Sequence, residues 1–381
     1  MQILLLANYI PDDQQSMNNF AALLETGLTR SGHQVRVIRP QPWLRRFKPS
    51  SLGVRVGKWL GYIDKYILFP QTICQELFWA DIVHVCDHSN AIYTKYLKNI
   101  PHVVTCNDLI AIRSALGEFQ ESKTKWAGRQ LQRMILKGIN QAQRVACISE
   151  KTKLDLMRIS SLQHSKISLI HMGLNNCYAP MSLSDSQRYL KSLKIPQNRN
   201  FFLHVGGNTW YKNRSGVLSI FNCLLQKHQT SDYYLVMVGQ PFTAEMHQLV
   251  KKYNLSQRVI ELVKIDDKNL RALYSAATAL LFPSLQEGFG WPIVEAQACG
   301  CPVFTSNLAP MTDIAGEAAI YINPNHPEEA AEKIARSLPK LKSLTKEGIA
   351  NARKFTLDKM INSYLDLYKL TIFERNKSSV C

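Results

Sequence analysis

Short apolar runs alternate with longer stretches of helical spacing along the whole chain, and that alternation predicts parallel sheets flanked by helices. In the first half, strands are expected at residues 1–10, 34–39, 82–86 and 102–106. In the second half they are expected at 201–205, 234–238, 259–263, 279–283 and 302–305. At residue 201 a strand, a loop and a helix begin the pattern again, which reads as a second Rossmann-like unit. Asn175, Asn176 and Pro180 break the pattern and place the boundary after residue 173. Residues 182–193 have the spacing of a helix opening the second domain, and 357–373 form a last long amphipathic pattern.

Composition agrees with two cores: 381 residues, 46% of them hydrophobic, are enough to bury both. The nine cysteines include no C-x2-C pair, the closest spacing being Cys299-Gly300-Cys301. Reduced, mostly buried thiols in a cytosolic protein are therefore expected, not a zinc site or a disulfide framework. The apolar run at residues 3–7 has neither the basic leader nor the length of a signal peptide, and no stretch approaches a membrane span.

Charge adds a further expectation. The formal net charge is +17, and residues 1–172 hold 22 Lys and Arg against 12 Asp and Glu. Between residues 30 and 65, nine basic residues face only Asp64. Here Leu52, Val56, Trp59, Leu60 and Ile63 fall at helical spacing while Arg55 and Lys58 point elsewhere. That pattern fits a helix lying on an anionic membrane surface, and equally a core-facing stripe with a solvated charged face. Lys123, Lys125, Arg129, Arg133 and Lys137 form a second basic face beside Trp126. No helix-turn-helix, zinc finger or aromatic RNA-binding signature accompanies the charge, so nucleic acid is not an expected partner.

The most informative segment is 283–295, PSLQEGFGWPIVE, which holds two carboxylates eight residues apart. Glu287 falls in the loop after the 279–283 strand, and Glu295 falls inside a helix whose first turn suits Pro292 and whose stop suits Gly300. A glycine-rich loop lets backbone amides approach a ligand, and the head of the following helix favours a phosphate. About seventy-five residues upstream, the 201–205 strand runs into Gly206-Gly207-Asn208 and then Lys212, a point charge able to neutralise a diphosphate.

The segment carrying Glu287, Gly288, Phe289, Gly290, Pro292 and Glu295 resembles the E-x7-E signature of the retaining glycosyltransferases of family 4. The resemblance implies an α/β chain of two Rossmann-like domains facing across a cleft, the GT-B fold. Residues 1–173 would be the acceptor-side domain, 174–356 the nucleotide-sugar domain, and 357–381 a helix packing back on the first. It further implies sugar transfer from a nucleoside-diphosphate sugar to an acceptor hydroxyl with retained configuration. Glu287 would face the donor sugar, Glu295 would accept from the nucleotide ribose, and Gly288, Phe289 and Gly290 would bind sugar and phosphate. Gly206 and Gly207 form the matching turn, Lys212 would assist the leaving diphosphate, and the base would lie near Ile265.

Two positions depart from the family. Gly206 stands where an arginine is common, with Arg214 as a candidate replacement. Asn107 stands where a histidine faces the donor sugar, and it keeps hydrogen-bonding capacity without a titratable proton. His88 ends a neighbouring strand and fits either a site residue or an ordinary loop histidine. The first loop, 12–17, lacks the family's glycines, so Ser16 is expected either to contact donor or acceptor or to cap a helix over 18–29.

No Asp-x-Asp is present, so neither a metal nor another cofactor is expected. The expected partners are a nucleotide-sugar donor, a glycan or lipid-linked acceptor and an anionic membrane surface, with a cytoplasmic or peripheral location. A nucleotide-sugar epimerase or a noncatalytic sugar-nucleotide or membrane-binding protein are the other readings the sequence leaves open.

Overall fold

A computed structural model describes residues 1–46, 54–174, 177–196, 199–227 and 230–378, with the side chains at 45, 46, 54–56, 58 and 378 outside the description. The chain divides into two compact units, one comprising Met1–His171 with Leu357–Cys381 and the other Met172–Thr356.

The first unit is built on six parallel strands: β1 (Gln2–Leu6), β2 (Gln34–Ile38), β3 (Ile82–Val85), β4 (His102–Cys106), β5 (Arg144–Cys147) and β6 (Ile167–Leu169). Their spatial order is β2-β1-β3-β4-β5-β6. Every residue of β3, β4 and β5 is buried, as helices on both faces of a parallel sheet require. The first strand is shorter than its apolar run: after Leu6 the chain leaves the sheet and Pro11 enters a 3-10 turn, Ile10–Asp12. Strand β6 escapes the sequence pattern because it is only 3 residues long, and β5, which opens on the charged Arg144, falls outside the expected strands.

The helix Gln15–Arg30 starts three residues before its expected position. Ser16 therefore lies in its first turn, exposed, and does not cap it; the cap residue is Gln14, without a side-chain cap bond. The helix Val54–Ile63 leaves Trp59 70% exposed, while Leu60 and Ile63 are half-buried. Leu52 and Lys48, and the side chains of Arg45, Arg46, Arg55, Val56 and Lys58, lie outside the description. Part of the charge run is neutralised from elsewhere: Arg36 pairs with Glu76 at 2.8 Å, Lys65 with Asp12 at 2.9 Å, and Arg30 with Asp358.

The second unit repeats the design with β7 (Phe201–Gly206), β8 (Tyr234–Gly239), β9 (Val259–Val263), β10 (Ala279–Phe282), β11 (Val303–Ser306) and β12 (Ile320–Ile322), in the order β12-β11-β10-β7-β8-β9. All pairings are parallel. A Cβ on Gly239, at the end of β8, would meet the Gly206 carbonyl oxygen at 2.0 Å, so glycine there allows the two strand ends to close together. These are two Rossmann-like α/β domains. Each sheet reverses its strand order once, between β1 and β3 and between β7 and β10. The gap outside the carboxyl ends at such a reversal is where open α/β sheets place ligands.

The terminal helix, Leu357–Ser378, belongs to the first unit and buries Tyr364 and Tyr368 completely. His84 Nδ1 lies 2.6 Å from the Tyr368 hydroxyl and its Nε2 lies 2.7 Å from Thr105 Oγ1, which in turn meets Tyr364 at 2.8 Å. A neutral imidazole satisfies both contacts, one nitrogen donating and the other accepting. Burial pushes His84 down to about 3. The unfolded chain takes up this proton near pH 6.5 and the folded unit does not, so stability should fall as pH drops from 6.5 toward 3, by about 1.4 kcal/mol per pH unit for one such group. In urea denaturation between pH 7 and 5, His84→Gln should remove about one proton from that slope. An unchanged slope would show that His84 is not held neutral.

Candidate active site

The two motifs of the second unit meet at its strand reversal. Lys212 ends a 3-10 turn, Trp210–Lys212, after β7, and Glu287 lies in the loop after β10. Lys212 Nζ donates to both oxygens of Glu287, at 2.7 and 2.8 Å. Two further contacts hold the loops in register: the Leu285 amide donates to the Tyr211 carbonyl at 2.7 Å, and Asn213 Nδ2 donates to the Pro283 carbonyl at 3.0 Å. Glu287 is only 8% exposed, so its charge depends on that lysine.

Glu295 sits in the helix Trp291–Ala298 and is also buried, but its partner is a hydroxyl: Tyr274 donates to Oε2 at 2.9 Å. Burial raises its pKa to about 7, against the lowering effect of Tyr274, while Asp267 raises it and Lys212 lowers it. Gly290 caps this helix at φ 98°, a conformation that favours glycine. The helix head is poorer in free amides than expected, because Pro292 has none and the Ile293 amide donates to the Gly290 carbonyl at 2.9 Å. Anion binding here depends correspondingly more on side-chain cations. The helix ends as expected, with Cys299 as its cap and Gly300 at φ +75°.

Arg214 is buried beside the glycine turn of Gly206 and Gly207. Its Nη1 donates to the Gln240 carbonyl at 2.7 Å and to Asn208 Oδ1, while its guanidinium lies 5.2 Å from the Phe242 ring centre. Gln240 Oε1 accepts from the Asn208 amide at 2.9 Å, fixing the turn. Burial lowers the pKa of Arg214, and Glu261 raises it. Arg214 Nε and Nη2, His204 Nε2 and Ser284 Oγ are buried with no protein partner. Buried polar atoms are nearly always satisfied, so four orphans on these neighbouring segments suit a polar ligand or water. Ile265 lies half-buried in the loop between β9 and the helix Asp267–Ala276.

In the first unit, Asn107 and His88 come together at the other reversal. Both are joined through Asp87, which the sequence reading had not singled out. Asp87 Oδ1 accepts from Asn107 Nδ2 at 3.1 Å, and Oδ2 accepts from Asn8 Nδ2 at 2.7 Å. His88 Nδ1 also lies 3.1 Å from Asp87 Oδ1, close enough for an ion pair though misaligned for a hydrogen bond. Burial works to lower the His88 pKa, and the charge of Asp87 overcomes it, so the ring is held above its usual value. Asn107 Oδ1 is buried without a partner. Ser16 makes no contact in this cluster; Gln14 does, accepting from Asn8 at 2.5 Å. Asp87 and Asn8 were accessible to a simple rule, since each directly follows or closely trails a strand adjoining the reversal. Tyr274 was not, lying on a separate helix twenty-one residues before Glu295. Among the described residues no cluster of three or more His, Cys, Asp or Glu is placed to hold a metal ion.

With this geometry in place, comparison with known proteins assigns the chain. The model of Glycosyltransferase Family 4 matches residues 17–176, and that of Glycosyl transferases group 1 matches residues 185–355. The chain belongs to the family 4 glycosyltransferases. It is 25% identical to the O-antigen chain mannosyltransferase B of Escherichia coli over 64% of this chain and 64% of that protein. It is 26% identical to the O-antigen chain mannosyltransferase RfbU of Salmonella typhimurium over 61% and 62% respectively. The match thus spans just under two thirds of either mannosyltransferase. Sucrose-phosphate synthase from Thermosynechococcus elongatus shares the fold, with a TM-score of 0.77 at 20% identity over 97% of this chain and 98% of that one. Anabaena HepE, solved in complex with UDP and glucose, gives a TM-score of 0.74 at 16% identity, covering 97% and 99%.

The buried pair makes a stability test available. Lys212→Ala should destabilise the second unit by about 3 kcal/mol, because it strands the Glu287 carboxylate, and adding Glu287→Gln should restore most of that. A denaturant series on the three proteins measures it. A loss below about 1 kcal/mol for Lys212→Ala would mean that water already solvates Glu287.

Proposed function

We propose that the chain transfers a sugar from a nucleoside-diphosphate sugar to an acceptor hydroxyl with retention of configuration. The observation that carries this reading is the Lys212–Glu287 pair at the strand reversal, with buried, under-satisfied Arg214 beside the same turn. In this reading Lys212 and Arg214 stabilise the charge that develops on the departing diphosphate, and the leaving phosphate accepts the acceptor's proton. A carboxylate held through both oxygens by an ammonium is a poor nucleophile, so Glu287 orients the donor sugar and forms no covalent intermediate. Glu295, which faces a neutral hydroxyl donor, accepts from the ribose. No step calls on a metal or another cofactor.

The mannosyltransferase relatives favour a hexose donor and a cell-envelope polysaccharide or glycolipid acceptor. The UDP and glucose bound to HepE favour a uridine or related nucleotide. The first unit's basic surface and exposed Trp59 favour a cytoplasmic protein that is peripheral on an anionic leaflet. No helix among the described residues is long and apolar enough to cross a membrane.

Glu287→Gln should lower turnover about 10²- to 10³-fold, the scale of losing one charge-organising group, with affinity for the nucleoside diphosphate little changed. Glu295→Ala should instead weaken that affinity, and wild-type affinity should decline as pH falls below about 7, where Glu295 gains a proton. Calorimetry with UDP and GDP, alongside release of nucleotide from their sugars, separates these effects. Equal losses of affinity in both variants would refute the division of roles, and absence of transfer with any nucleotide sugar and glycan acceptor would refute the activity.

A further inference from the structure

The first unit holds a cavity of about 280 Å³ that shares no lining residue with the Asp87 cluster. Tyr66, Tyr93, Tyr96 and Met134 contribute to its walls, Lys95 and Lys137 also line it, and its lining includes no carboxylate. The Tyr93 hydroxyl is occupied, donating to the Lys65 carbonyl at 3.0 Å. An aromatic track connects this cavity with solvent: Tyr62 stacks on Tyr66 with centroids 5.7 Å apart, and Trp59 stands edge-on to Tyr62 at 6.0 Å. Trp59 is 70% exposed and Met134, on another wall, 54%. Lys95 Nζ lies 4.8 Å from the Tyr96 ring centre, and Lys65 Nζ, which is paired with Asp12, lies 5.2 Å from that of Tyr62.

We infer that this cavity receives an acyl chain of an anionic lipid in a membrane leaflet, with Lys95 and Lys137 meeting the headgroup phosphate. The inference rests on the membrane reading above and locates its contact. Two observations decide between chain and phosphate for the interior. The walls are mainly aromatic and apolar, with Lys95, Lys137 and Gln141 as polar members, and the 3-10 helix His88–Tyr96 and the helix Trp126–Asn140 bring their C-terminal turns to the cavity. Helix C-termini disfavour anions, and Lys95 and Lys137, which stand in those last turns, offset that locally, so the phosphate is held at the lysines while the uncharged chain enters the apolar part. The volume is near the lower bound of ligand clefts and suits a segment of one chain, not a whole lipid.

Cosedimentation with phosphatidylcholine vesicles, with and without phosphatidylglycerol, tests the inference in the full chain, supported by calorimetry with monomeric dihexanoyl phosphatidylglycerol and with inorganic phosphate. Wild type should pellet with the anionic vesicles and bind the short-chain lipid but not phosphate. Met134→Glu and the double variant Lys95→Gln/Lys137→Gln should each weaken both lipid interactions at least tenfold, with thermal midpoint and UDP affinity unchanged. Lys123→Gln/Arg129→Gln, which removes the same charge from outside the cavity, should weaken vesicle binding less and leave short-chain lipid binding intact. If wild type binds anionic vesicles and the cavity variants bind as well as it does, the inference fails and the membrane reading stands. If wild type ignores anionic vesicles at low salt, the membrane reading fails and takes the inference with it; sugar transfer is unaffected by either result. Equal binding of dihexanoyl phosphatidylcholine would overturn the role of the two lysines.

Discussion

A carboxylate removed from water must be paired or neutralised, and the second unit is organised around that requirement at Glu287. Its lysine comes from a different strand, so the pair forms only when β7 and β10 lie side by side and their following loops close on one another. Parallel pairing of those strands, the Leu285–Tyr211 bond and the Asn213–Pro283 bond supply that closure. The strand reversal, in the middle of the sheet, is therefore the point at which opposite charges are brought together. An arrangement of this kind stores little net stability, since desolvation offsets the Coulomb attraction. What it secures is position, since each side chain holds the other through two contacts.

The two glutamates show how one loop and helix give two environments. Glu287 is held through both oxygens by an ammonium, while Glu295 receives a tyrosine hydroxyl and is raised toward neutrality by burial. A carboxylate paired with an ammonium can orient a substrate by charge. One near its midpoint binds hydroxyls most strongly only when the proton is absent. Sites that separate two like residues by environment generally separate their roles as well.

Much of this was legible in the sequence because it depends on local chemistry. The apolar runs mark the long buried strands, and Pro292, Gly290 and Gly300 mark the helix that carries Glu295. The 3-residue strands β6 and β12 offer too few positions for a pattern to register. Ser16 shows a different failure: it has cap chemistry, yet the helix begins earlier because Gln15 and Ser16 adopt helical geometry without a side-chain cap. The nine basic residues around positions 30–65 suggested an unneutralised surface, but Glu76, Asp12 and Asp358 reach three of them from distant parts of the chain. Long-range pairing is invisible to any window along the sequence. So is Tyr274, whose value to Glu295 comes entirely from packing.

The two departures from the family pattern become intelligible through the same geometry. A side chain at Gly206 would begin with a Cβ 3.0 Å from His204 Nε2, so the strand end has no ready space for an arginine. The cation nearest that turn is Arg214, which reaches back to Asn208 and Gln240, and in the proposed function it takes the role of the absent arginine. At position 107 the missing imidazole has a counterpart one strand away: Asn107 and His88 both address Asp87 Oδ1 at 3.1 Å. The aspartate charge keeps that ring prone to protonation, while the amide oxygen of Asn107 is left buried and unpaired. In both units, then, a side chain of the same kind as the group absent from its usual position lies within the same cluster. A guanidinium buried with two unused donors and an imidazole buried beside a carboxylate are costly to keep without a polar partner, and both lie at strand reversals, where open α/β sheets place their ligands.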